Sequence, residues 1–392
     1  MRWLLGLLTL TVLASLAACG GGSAGDGLTS HDASLAAPAA TASAGDYIVV
    51  YKAGVPSSVT RAAGAKLATL PAFYYGVALK GFAGRLSAVE LERLKNDPNV
   101  AYVEPDRPVE AFDKTASFAQ VLPWGVDRID AELNANKGTG VGVAIIDTGI
   151  DLTHPDLAHV VAGANFIRTG RPPVDDNGHG THVAGIVAAA DNGFGYIGVA
   201  PDATVIAVKV LNRNGSGTIS GVNAGIDWVA ANHTAYNIEV ANMSLGGSGF
   251  SQSMHDAIQA ATDAGVTFVV AAGNSSANAA NFSPAGFNNV VTVSALNQNG
   301  TFASYSNWGS AIDLIAPGTS IPSLYKNGGY ATLSGTSMAS PHVAGSAALW
   351  IKDHPGDTFA AVRSALIANG QSGTWAGDPD GTYEPLVYAK TL

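Results

Sequence analysis

The sequence predicts an α/β fold, a mostly parallel β-sheet covered by helices on both faces, preceded by a small α+β domain. Three observations carry this. Near-continuous apolar runs recur from Val141 onward, at 205–211, 240–244, 266–271 and 290–295, with a shorter one at 312–316. Strands without polar alternation are buried on both faces. Helical stretches at 181–190, 219–232 and 253–264 fall between them, and such alternation is what crossover-connected parallel strands require. Ahead of residue 119 the pattern changes to short strand-like runs at 47–51, 74–79 and 100–104, with an amphipathic helix at 87–95.

Taken in chain order, residues 1–19 read as an export signal: Arg2 is followed by an apolar run, 3–14, too short to span a bilayer. The run ends in Leu16-Ala17-Ala18-Cys19-Gly20, which resembles the lipobox of bacterial lipoproteins. Cys19 is the only cysteine, so no intramolecular disulfide is available. Lipidation of Cys19 is the expectation; an incidental cysteine in an ordinary cleaved leader is the other reading. Residues 20–45 are rich in Gly, Ala and Ser and cannot bury a core, which makes them a flexible linker. Residues 46–112 form the small α+β domain. There Ser87 is the expected N-cap of the 87–95 helix and Glu90 completes a capping box; 64–70 is a weaker helix. Pro105 and Pro108 end regular structure, 113–118 is a linker, and 119–392 is the large domain.

Charge is unevenly placed. The first 118 residues hold ten basic and ten acidic side chains, so the whole formal charge of −10 belongs to 119–392. That argues against nucleic acid as a partner and leaves room for cation sites.

Three segments carry the chemistry. Residues 141–149, Val-Gly-Val-Ala-Ile-Ile-Asp-Thr-Gly, form a buried strand ending in Asp147 and a glycine turn. Residues 177–185, Asn-Gly-His-Gly-Thr-His-Val-Ala-Gly, place His179 at a helix start. Residues 335–342, Gly-Thr-Ser-Met-Ala-Ser-Pro-His, put Ser337 ahead of an apolar helix at 343–351, with Pro341 in its first turn. An acid to fix the imidazole tautomer, an imidazole to take the proton and a hydroxyl to attack form a nucleophilic relay. A serine at a helix start also reads as a simple N-cap, and Asn274, after the apolar run Val269-Val270-Ala271-Ala272-Gly273, as a turn residue. Ligands bind beyond the carboxyl ends of parallel strands, and Asp147, Ser244-Leu245-Gly246 and Asn274 all fall at such ends.

Rival chemistries fit less well. A zinc protease would need H-E-x-x-H, and no Glu follows His179; His154, His182 and His342 read as structural. An esterase elbow would need Gly at 339, which is Ala. A surface lipoprotein that uses an inert protease fold for binding would have no use for a complete Asp, His and Ser set.

These segments resemble the signatures around the catalytic residues of the subtilisin-like serine proteases, with a lean toward the proteinase K branch, and the likeness extends over most of 119–369. The resemblance implies a subtilisin-like fold and an exported endopeptidase acting through an acyl-enzyme, with Asp147, His179 and Ser337 as triad and Asn274 as side-chain donor of the oxyanion hole. It implies that Gly215, Gly217, Ser244, Leu245 and Gly246 flank an extended substrate peptide. The first specificity pocket, drawn from 244–246, 271–273 and 282–285, carries no Asp or Glu between 271 and 285, so apolar or aromatic P1 side chains are expected. It further implies structural Ca²⁺ held by the side chains of Gln120, Asp156 and Asn192 and the carbonyls of Ala190, Phe194 and Tyr196. Asp313, with the carbonyls of Asn288 and Val290, is a second cation candidate. The small domain resembles the inhibitory propeptide of this family. The expected partners are therefore protein and peptide substrates and the chain's own propeptide, with membrane anchoring of the precursor through Cys19. The mature enzyme is expected to be an extracellular monomer, starting at Ala119 after a cut following Phe118.

Overall fold

The computed structural model describes residues 44–76, 80–106 and 118–392. The signal segment, Cys19, most of both linkers and residues 77–79 lie outside them. The chain divides into two compact units, ending and beginning at Glu110 and Ala111.

The first unit is a four-stranded antiparallel sheet with two helices: β1 (Gly45–Tyr51), α1 (Ser57–Gly64), β2 (Phe73–Tyr75), β3 (Gly81–Leu86), α2 (Ala88–Lys95) and β4 (Val100–Pro105), in the order β2-β3-β1-β4. Val49, Phe82, Leu86, Leu91 and Leu94 form its core. The capping box is present: Ser87 Oγ accepts from the Glu90 amide at 3.3 Å, and Glu90 returns a bond to the Ser87 amide at 2.8 Å. The helix expected at 64–70 is displaced. Helix α1 ends at Gly64, and Leu67 turns inward from the loop that follows.

The second unit opens with a short helix, α3 (Trp124–Arg128), and a 3₁₀ turn at Ala131–Leu133. Its sheet then alternates with helices: β5 (Gly142–Asp147), β6 (Val160–Asn165), α4 (His179–Ala188), β7 (Thr204–Lys209), α5 (Ile219–Tyr236) and β8 (Ile238–Met243). A two-residue strand β9 (Gly247–Ser248) precedes α6 (Gln252–Asp263), β10 (Thr267–Ala271), β11 (Phe282–Ser283), β12 (Val291–Leu296) and β13 (Leu314–Pro317). The hairpin β14 (Ile321–Tyr325) and β15 (Gly329–Leu333) leads into α7 (Thr336–Asp353) and α8 (Phe359–Asn369).

Seven strands make one sheet, ordered β13-β12-β10-β8-β5-β7-β6, and every pairing in it is parallel. Both faces are covered. In β5, Val143 and Ile145 pack with α4, α7 and α8, while Ala144 and Ile146 pack with α5 and α6. That is why the strand is apolar without alternation. From β5 the chain goes to the edge strand β6 and returns to insert β7 between them, then crosses to the other side and builds outward through β8, β10, β12 and β13. Strand β5 is therefore the topological switch point, where a ligand crevice is expected.

Candidate active site

Neighbouring strands β5, β8 and β10 end close to Asp147, Ser244 and Asn274 respectively. The strands are buried, so their last residues emerge at one edge with fixed spacing. Helix α4 is brought against the end of β5 through Gly180, where an added Cβ would lie 2.1 Å from the Gly149 carbonyl oxygen. No larger residue permits that approach. His179 is thereby set beside Asp147: its Nδ1 lies 2.8 Å from Oδ1 and 3.0 Å from Oδ2. Asp147 is fully buried, and its Oδ1 also accepts from the Thr148 amide at 2.6 Å. Burial works against the imidazolium. The charge and hydrogen bond of Asp147, with Asp175 behind, outweigh it and hold His179 above the ordinary imidazole range.

Ser337 is the second residue of α7 and is partly exposed. The helix starts earlier than expected, so Pro341 lies inside it rather than in the first turn. A proline there cannot donate to the carbonyl four residues back, which is that of Ser337. The Ser244 hydroxyl takes its place, donating to the Ser337 carbonyl at 2.8 Å, while Ser337 Oγ donates to the Ser244 carbonyl at 3.2 Å. Among the described residues no hydrogen bond joins Ser337 Oγ to His179; the hydroxyl is turned to Ser244.

Asn274 is held by its carbonyl oxygen, which accepts from the Thr336 amide at 2.9 Å and hydroxyl at 3.0 Å. That leaves its Nδ2 pointing to the cleft. A Cβ on Gly335 would lie 3.3 Å from Asn274 Nδ2 and 3.6 Å from the Ser337 amide nitrogen. The two donors thus face one space, left open by glycine, as stabilisation of an oxyanion needs. The part played by Thr336 carried no signal of its own in the sequence.

Two cavities flank these groups. One of about 490 Å³ is lined by His179, Gly215, Gly217, Ser244, Leu245 and Gly246, with Leu211, Ile219, Val222 and Met254 supplying an apolar floor. The other, about 210 Å³, runs from Leu245 to Gly247, along Ala271–Ser275, past Phe282, Ser283 and Ala285 to Ser337, and no charged residue lines it. All five expected substrate-flanking residues therefore border the cleft.

The first expected cation ligands also gather in one place. Gln120 Nε2 donates to the Ala190 carbonyl at 2.8 Å and Asn192 Nδ2 to Asp156 Oδ1 at 2.9 Å. Phe194 and Tyr196 enter through their amides, donating to Asn192 Oδ1 and Asp156 Oδ2. Asp156 is fully buried, and its partners in the structure are neutral. Burial pushes its carboxyl up to about 6, against the pull of Tyr196, Asn192 and Tyr330. A buried carboxylate with no positive side chain against it, beside the side-chain amides of Gln120 and Asn192 that each carry a hard oxygen, fits a Ca²⁺ ion. Asp313, the second cation candidate, is paired with an arginine. Arg363 Nε donates to its Oδ1 at 2.9 Å and Nη1 to the Asn288 carbonyl at 3.4 Å, so a guanidinium supplies the positive charge where a second ion was expected.

The three other histidines named from the sequence, His154, His182 and His342, turn to backbone carbonyls. His182 Nε2 faces the Ile321 and Ala331 carbonyls, His154 Nε2 the Gly329 carbonyl, and His342 Nδ1 the Met338 carbonyl. Among the described residues no three His, Cys, Asp or Glu side chains are grouped to hold a metal ion, so the paired histidines 179 and 182 do not make a zinc site.

Comparison with known proteins agrees with this geometry. The Subtilase family profile matches residues 138–380, and Peptidase inhibitor I9 matches 46–112. The chain is 42% identical over 307 residues to the "Thermostable alkaline protease" of Halalkalibacterium halodurans, covering 78% of this chain and 80% of that one. It is 41% identical over 327 residues to "Alkaline serine exoprotease A" of Vibrio alginolyticus, covering 80% of this chain but only 59% of that longer protein. Among solved structures, a "cold adapted subtilisin-like serine proteinase" superposes with a TM-score of 0.63 at 41% identity, over 68% of this chain and 97% of the other. A parallel sheet ending in an Asp–His pair, a helix-borne serine and an inhibitor domain ahead of them place the chain in the subtilase family of serine endopeptidases.

Proposed function

We propose that Asp147, His179 and Ser337 act as the acid–base–nucleophile relay, with Asn274 Nδ2 and the Ser337 amide receiving the oxyanion. The observation that carries this reading is the Asp147–His179 contact at 2.8 Å, facing a cleft that also exposes Ser337. His179 takes the Ser337 proton as Oγ attacks the substrate carbonyl, then returns it to the leaving amine; water reverses the sequence on the acyl-enzyme. The segments at 215–217 and 244–246 pair with the substrate main chain. The uncharged 210 Å³ cavity takes an apolar or aromatic P1 side chain. Ca²⁺ binds at Gln120, Asp156, Asn192 and the Ala190 loop and supplies the positive charge that Asp156 lacks. The proteinase K-like assignment rests on the sequence signatures alone.

The enzyme is exported, anchored as precursor through Cys19, matured by a cut after Phe118 and active as a monomer. Phe118 and Ala119 are docked on the cation loop: the Gly195 amide donates to the Phe118 carbonyl at 3.1 Å, and Ala119 bridges Phe194. In the uncut chain the 118–119 bond thus lies on the cation loop, and cleavage there requires the segment to leave the loop and lie at Ser337.

One experiment tests nucleophile and maturation together. The wild-type precursor is incubated, treated with a fluorophosphonate and weighed intact, beside Ser337→Ala. The expected product is a wild-type species starting at Ala119 with one label on Ser337, and an uncut, unlabelled variant. Labelling or self-cleavage in the variant rules out Ser337; a mature start far from Ala119 rules out the processing site.

A further inference from the structure

After Asp147, the acidic group most closely tied to His179 is Asp175. It is 4% exposed and lies in the loop ahead of α4, its amide donating to the Ile150 carbonyl at 3.1 Å. Its Oδ1 accepts from the Thr148 hydroxyl at 2.9 Å and the amides of Asn177 and Gly178, each at 2.9 Å. Its Oδ2 accepts from the Thr181 amide at 3.0 Å and hydroxyl at 2.6 Å. Five donors converge on one carboxyl, whose two oxygens accept from all of them. These donors bracket the relay. Thr148 follows Asp147, while Asn177, Gly178 and Thr181 surround His179, and Thr148 Oγ1 also accepts from the Gly180 amide at 2.9 Å.

We propose that Asp175 is a positioning residue of the reaction, which ties the end of β5 to the first turn of α4 and sets a second fixed negative charge behind the His179 imidazole. The proposal rests on the relay described above. Both parts act through His179. The hydrogen bonds fix where the imidazole stands, and the charge favours the imidazolium formed when the base takes the serine proton. The charged and titratable groups around His179 are few. Asp147 faces it from β5 and Asp175 from the preceding loop. His182, one turn along α4, is pushed down to about 3 by burial and is uncharged at neutral pH. Lys209 of β7 is paired with Asp176 at 2.6 Å and bonded to the Thr148 carbonyl. From α7 comes the Ser337 hydroxyl, which is neutral.

The pH dependence of kcat/KM separates the charge from the scaffold. Asp175→Asn keeps the size and removes the charge, and its acid limb is expected to move to lower pH by roughly half a unit or more. Thr181→Val removes one hydroxyl donor to the same carboxylate and keeps the charge; it is expected to lower kcat while leaving the acid limb where it was. An unmoved limb in folded Asp175→Asn, or an equal shift in Thr181→Val, overturns the proposal. Should Asp175→Asn not fold, Asp175→Glu decides from the other side: charge retained, limb unmoved, kcat reduced about tenfold or more through misplacement. A limb that moves with the charge retained overturns it as well. Failure of the underlying relay is read separately, as wild-type turnover in His179→Ala.

Discussion

Ser337 and Ser244 exchange hydrogen bonds because Pro341 leaves the Ser337 carbonyl without its helical partner. The backbone of Ser337, the proposed nucleophile, is thus pinned to the 244–246 segment by a side chain. Asn274 is oriented in a similar way, its oxygen occupied by Thr336 so that only its N–H₂ faces the cleft. That donor meets charge only as the transition state forms. Asn274→Ala is therefore expected to lower kcat by ~10²–10³-fold with KM nearly unchanged, as steady-state kinetics on a chromogenic peptide will read. In the proposed relay the base works as the neutral imidazole, and His179 is held above its ordinary range. Activity should accordingly fall as pH falls through a midpoint above about 6.5, which a pH–rate profile measures. Asp147, His179, Ser337 and Asn274 were legible in the sequence because each sits in a short motif whose chemistry needs that residue type. Thr336 and Asp175 were not, since their importance comes from what they touch across 62 and up to 27 positions of chain.

Elements buried on both faces were the easiest to read. Strands β7, β8, β10 and β12 begin or end within a residue or two of their apolar runs, because nothing polar interrupts such a run until the chain leaves the core. Edge strand β6 was missed: its residues are half-buried or exposed, and the pattern Val-Val-Ala-Gly-Ala-Asn has no clear period. The β14–β15 hairpin and α8 were missed as well, with α8 mixing small and polar residues along its length. In the first unit, β3 was missed: it carries two glycines in six residues, yet it pairs with both β1 and β2. The loop carrying Ala190, Asn192 and Tyr196 is proposed as a cation site only through the family likeness. The proposal has a stability consequence, since an ion that binds only the folded state raises its apparent stability. Removing Ca²⁺ with a chelator is expected to lower the Tm of the mature enzyme, and Asp156→Asn to abolish most of that difference. Calorimetry showing no chelator effect, with no Ca²⁺ in elemental analysis, would discard the ion.

Across the whole molecule, acidic charge is a cost at high pH. Glu384 is 6% exposed with Oε2 unpartnered, and burial, with Asp378, Asp380 and Asp313 adding, pushes it up to about 8. An acid raised in the folded state stabilises the fold below its unfolded value, near 4.5, and this contribution is lost as pH climbs toward 8. Glu384→Gln should therefore raise Tm by about 2–4 °C or more at pH 9 and change little at pH 4, as thermal melts at the two pH values will tell. The order in which the sheet gathers its parts has a consequence for synthesis. The proposed acid and base lie on β5 and α4, early in the second unit, whereas the proposed nucleophile opens α7, whose residues from Met338 to Ile351 fill the core beneath the sheet. A chain still leaving the ribosome holds its Asp and His long before it holds a serine to activate, and β10 with Asn274 arrives in between. The linear order of segments thus works as a delay: the unfinished protease is inert toward itself and its neighbours until almost all of it has been made.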